Sequence, residues 1–153
     1  MSVFLIYLFK FIHIAAAMVW VGGVCALAFL DARLVQLQDQ PLAANMAKQT
    51  AAYGQVVLGL SAGLTLIAGL VTAILMHLDL LNLWILWGFA GIFGSLVLGA
   101  VFIRRSTVEF NHLVASPNLD DPRLAAVKRR LANLNLLNLL LLLSVVAAMV
   151  FKP

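Results

Sequence analysis

A chain of 153 residues that is 64% apolar and only 10% charged is not a soluble domain, in which charged residues take about a quarter of the positions. Its net charge of +4 is collected in two segments instead of lining a binding face, so no nucleic-acid partner is implied. A single cysteine, Cys25, excludes an intrachain disulfide and a thiolate metal cluster.

Four apolar runs, roughly 3–30, 53–77, 81–103 and 131–151, each reach the ~20 residues that cross hydrocarbon as a helix. Backbone polar groups in lipid must be satisfied within the segment, which dictates helices. The ten-residue alternation of a transmembrane barrel is absent. The first run reads as a span and not as a signal peptide, because it is long, has no basic leader and precedes no polar domain.

The first helix is expected over about 2–37 and ends at Gln38-Asp39-Gln40-Pro41. Asp39 or Gln40 ahead of Pro41 starts a second helix over about 41–77, since proline is tolerated at the first helical position. Its transmembrane part is rich in small residues, and Gly59 and Gly63 form a small-xxx-small pair suited to close helix approach. A tight connection around Asp79 makes the third helix, about 81–115, an antiparallel neighbour of the second. Trp84 and Trp87 suit the membrane interface at its start, and Gly88, Gly91, Gly94 and Gly99 give it a small face. Ser116-Pro117-Asn118 closes it. Asp121 as N-cap and Pro122 at the first position open a fourth helix over about 121–151. Asn133, Asn135 and Asn138 on that helix are expected to bond between helices.

The fold class is therefore all-α. Residues 1–153 form a single domain, a transmembrane up-down four-helix bundle with helical extensions on the cytoplasmic side. Segments 31–52 and 104–130 hold Arg33, Lys48, Arg104, Arg105, Arg123, Lys128, Arg129 and Arg130. The positive-inside rule puts these loops in the cytoplasm and both termini outside. Beyond the lipid bilayer, the glycine-rich faces leave room for a homo-oligomer or a larger membrane complex.

The chemistry concentrates in the first span. Lys10, His13 and Trp20, at offsets of three and seven, share one side of the helix. Ionisable groups at membrane depth usually face a bundle interior, a cavity or a cofactor. A neutral imidazole at His13 can hold haem iron or copper through one ring nitrogen while the other hydrogen-bonds. Ala16 and Ala17 leave space for a flat macrocycle, Trp20 walls it, and Gly23 admits a helix or ring edge. Lys10 is one turn outward, suited to a propionate or to an axial position. The competing reading has His13 bonding a neighbouring helix and Lys10 snorkelling to the interface. His77 is the other histidine on the outer side, and Met76 beside it is a soft ligand. His13, His77 and Met76 make a set suited to Cu(I). Counting 1.5 Å per residue separates the two histidines by about 12 Å in depth, against a simple pair.

Lys10-x-x-His13-Ile14 with Trp20-x-x-Gly23, and the ending Met149-Val150-Phe151-Lys152-Pro153, resemble small bacterial membrane proteins related to the copper-resistance protein D domain. They also resemble HemJ-type membrane protoporphyrinogen oxidases. That resemblance implies a bacterial inner-membrane location, haem b, His13 as the haem-ligand histidine, Lys10 as the lysine preceding it, and Trp20 and Gly23 beside the pocket. Phe29 stands where the HemJ-type enzymes carry an arginine, and Asn82-Leu83-Trp84 lacks their lysine at the start of the third helix. The expectation is a b-type haem-binding or redox-associated membrane protein, with copper transport or resistance and a cofactor-free accessory subunit as alternatives.

Overall fold

A computed structural model describes residues 3–34, 49, 52–114 and 122–152, and no strand occurs among them. α1 is Val3–Leu34. α2 covers 52–75 and opens on a π-helical stretch, Gly54–Leu58. α3 covers 83–114 and is π-helical over Leu98–Ile103. α4 is Pro122–Phe151, with Pro122 at its first position as expected. The proposed breaks at Asp39–Pro41 and Ser116–Asn118, and the Asp121 cap, lie outside the described residues. All four helices are long and apolar enough to cross a membrane.

Within the span of α2, the hydroxyl groups of Ser61, Thr65 and Thr72 are satisfied by their own helix. Thr65 Oγ1 donates to the Ser61 carbonyl and Thr72 Oγ1 to that of Ala68, both at 2.7 Å. This local bonding lets polar residues sit in lipid without a partner helix.

α2 stops by a defined device. Leu78 N–H reaches back to the Ala73 carbonyl and His77 N–H to that of Ile74, the paired bonds of a Schellman motif. His77 occupies the left-handed position at φ 52°, which glycine usually fills. Asp79 then accepts from Leu81 N–H through Oδ1 at 3.0 Å and shapes the turn. At the other terminus, Lys152 Nζ lies 5.4 Å from the Trp84 ring centroid and ties the end of α4 to the start of α3.

The helices pack as two hairpins. α1 lies along α2, α3 lies along α4, and α1 also touches α4. α2 and α3, joined by the tight turn and expected to be neighbours, scarcely touch. Bulky Leu66, Phe89, Phe93 and Leu96 flank an apolar cleft of about 240 Å³ between them. The core runs through the junction of the hairpins: Trp20 and Val24 of α1, Ala62 of α2, Ile92 of α3 and Leu142 of α4.

Glycine decides where helices close. In the second hairpin Gly91 lies against Val145, Gly88 against Met149 and Gly94 against Leu141. In the first, Gly23 lies against Leu58 and Gly54 against Leu27. Gly59 and Gly63, the pair that reads as a packing face, have open space where a Cβ would stand. The side of α2 that meets α1 is set by Ser61, Ala62, Thr65 and Ala68, all buried, and it turns the glycine pair away.

Gly91→Ala is expected to cost about 1–3 kcal/mol because the stiff Val145 side chain cannot yield. Gly63→Ala is expected to leave the melting temperature in detergent unchanged or slightly raised, so the two variants side by side test the packing. His77→Gly is expected to stabilise by about 1 kcal/mol through relief of the left-handed residue, read in the same thermal assay.

Candidate functional site

Among the described residues, His13 is a polar side chain that reaches across the first hairpin, from α1 to α2. Its Nδ1 lies 2.7 Å from the Thr65 carbonyl oxygen. A carbonyl only accepts, so Nδ1 carries the proton and donates. For a neutral imidazole this bond selects the tautomer whose lone pair is on Nε2. The ring rests on Gly69: a Cβ there would stand 2.8 Å from His13 Cε1 and Nδ1. Thr65 and Gly69 are one turn apart on α2, and together they form the seat of the imidazole. Gly69 is six residues from the end of α2 at Leu75, which sets His13 about 9 Å below that end.

The sequence-predicted neighbours divide. Lys10, one turn outward, is exposed. Ala16 is buried and Ala17 half-buried. Trp20, 6% exposed, belongs to the central core, and Gly23 accommodates Leu58 of α2. Those two positions thus serve helix packing within the chain.

Met76 and His77 do not join His13. Both are exposed in the turn after α2, and His77 is eight residues beyond Gly69, about 12 Å along the axis. Among the described residues no three histidine, cysteine, aspartate or glutamate side chains converge on one point.

Thr65 and Gly69 were not singled out from the sequence, where they pass for part of the small, packing-prone composition of the second span. A carbonyl acceptor has no sequence signature. The antiparallel run of the first hairpin, with His13 on one strand of contacts and Thr65 and Gly69 on the other, is the signal that pairs them. The asparagines of α4 also differ from expectation. Asn138 is buried with Oδ1 unpartnered, while Asn133 is exposed. Ser106 Oγ on α3 is a second buried oxygen without a partner.

Residues 7–153 match a family described as predicted integral membrane protein, DUF2269. The chain belongs to the DUF2269 family. That match covers nearly the whole sequence and agrees with the four candidate spans. It carries no link to the copper-resistance D domain or to HemJ-type enzymes. No curated protein and no solved structure matches this DUF2269 chain.

Gly69→Ala is expected to push the imidazole off its seat and break the bond to Thr65, a loss of about 1 kcal/mol. ¹⁵N NMR of histidine-labelled protein reads this directly, as loss of the single Nδ1–H tautomer at one of the three histidines.

Proposed function

We propose that this DUF2269 protein is a b-type haem-binding, redox-associated membrane protein, with His13 offering Nε2 as an axial ligand in the outer half of the bundle. The observation that carries this reading is the seat of His13. Its Nδ1–H is held by the Thr65 carbonyl at 2.7 Å, and Gly69 provides the flat surface beneath the ring. A ligating histidine characteristically donates its other ring N–H to a carbonyl or carboxylate, which fixes the ring and raises its basicity. Lys10, exposed one turn outward, is suited to receive a propionate. Haem, when bound, supplies one-electron redox chemistry; the chain's part is to orient the imidazole. Trp20 and Gly23 contribute indirectly, by setting the spacing of α1 from α2.

The copper reading requires His13, Met76 and His77 to meet, and their separation counts against it. The basic residues at the loop ends support a cytoplasmic placement for that side, with the termini outside a bacterial inner membrane. The open surface at Gly59 and Gly63 supports association with a second copy or a larger complex.

Protein expressed with ample haem and purified in detergent is expected to show a Soret band that His13→Ala abolishes. Gly69→Ala should shift or weaken the band, and His77→Gly should leave it intact. Colourless wild-type protein overturns the reading; copper retention lost in His77→Gly replaces it with the metal alternative.

A further inference from the structure

α4 carries a second feature, at the opposite end of the span from His13. An open groove of about 500 Å³ is lined by Ala126, Arg129, Arg130, Asn133, Leu134 and Leu137. All six residues belong to α4, so the groove is a shallow, open depression along one helix face, suited to a ligand that lies on the surface. The residues are ordered by chemistry along the helix axis: two guanidinium groups, then a carboxamide, then two leucines.

Depth gives this order a meaning. Phe151, the last residue of α4, is 21 residues from Arg130, about 32 Å at 1.5 Å each. The hydrocarbon core is ~30 Å thick, so with Phe151 at one boundary Arg130 stands at the other. Asn133 then lies one turn inside the hydrocarbon and Leu137 about two turns inside. Arg129, Arg130 and Asn133 are all exposed, so their polar heads are not spent in helix contacts. An exposed carboxamide at that depth is costly unless something polar reaches it.

We infer that this groove is a binding site for an anionic phospholipid of the adjacent leaflet. Its phosphate accepts from the Arg129 and Arg130 guanidinium groups. Asn133 Nδ2–H₂ donates to the ester or glycerol oxygens just beneath. The acyl chain lies along Leu134 and Leu137. Charge complementarity selects the occupant, since two adjacent arginines meet a singly anionic headgroup better than a zwitterionic one. Arginine also matches the geometry of phosphate oxygens with two donors at once. The apolar floor selects a lipid over a free phosphate, which would leave the leucines without a partner.

Native mass spectrometry of the full chain in detergent tests the site. Phosphatidylglycerol, phosphatidylcholine with the same acyl chains, and glycerol 3-phosphate serve as probes. Phosphatidylglycerol is expected to be retained about tenfold better than phosphatidylcholine, with glycerol 3-phosphate failing to displace it. R129Q/R130Q should remove that preference, and Asn133→Leu should weaken it severalfold. R104Q/R105Q removes the same charge from two exposed arginines of α3 that do not line the groove, and it should leave the preference in place. R129K/R130K, which keeps the charge, should retain part of it and shows that loss in the glutamine variant is not a folding failure. Equal retention of the two lipids overturns the inference. So does an equal loss in R104Q/R105Q, which would mark diffuse charge attraction, or displacement by glycerol 3-phosphate, which would mark a phosphate site without a lipid.

Discussion

Close approach of α1 to α2 is the constraint on which the candidate site depends. In lipid, apolar side chains gain little from one another relative to the solvent, so helices associate where their surfaces allow near contact. The first hairpin does this at three levels: Leu27 with Gly54, Leu58 with Gly23, and His13 with Gly69. At the first two, a glycine receives an aliphatic side chain. At the third the incoming group is an imidazole, and the same closeness brings a ring nitrogen within hydrogen-bond reach of a backbone carbonyl. The position of His13 is thus a product of packing, and the tautomer of its neutral ring is a product of position.

Polar side chains in the spans are accommodated in more than one way. Threonine and serine hydroxyls turn back to carbonyls of their own helices at Thr65, Thr72, Thr107 and Ser144. His13 departs from that pattern, its Nδ1 meeting the Thr65 carbonyl of the neighbouring helix. Toward the basic end, Asn138 and Ser106 keep buried oxygens without partners. Among the described residues, the buried oxygens left unsatisfied belong to the α3–α4 hairpin.

How much of this was legible in the sequence follows from what each signal measures. Span number and helical class rest on uninterrupted apolar length, and the four helices match them. Pro122 as a helix start was legible because proline is restricted by its own covalent geometry. The glycine patterns were legible as thin helix surfaces but not as contacts. Gly88, Gly91 and Gly94 meet α4, while the equally suggestive Gly59 and Gly63 meet nothing. Spacing shows which residues share a side and is silent on what comes against that side. The adjacency of α2 and α3 failed for a related reason: a short turn fixes where two helices join, not whether bulky Phe89 and Phe93 allow them to close. For the site, sequence marked His13 and Lys10 by their cost in lipid. It missed Thr65 and Gly69, whose contributions are a main-chain oxygen and a missing methyl group.

The left-handed stop at His77 has a bearing on how the protein is made. A span whose end is sealed by its own Schellman bonds and an aspartate turn needs nothing downstream to terminate it. The α1–α2 pair holds most of its helix contacts internally, and the α3–α4 pair does likewise. Each hairpin is then a natural unit of membrane insertion. The first seats its imidazole within its own two helices, and the core that includes Trp20 and Leu142 joins it to the second.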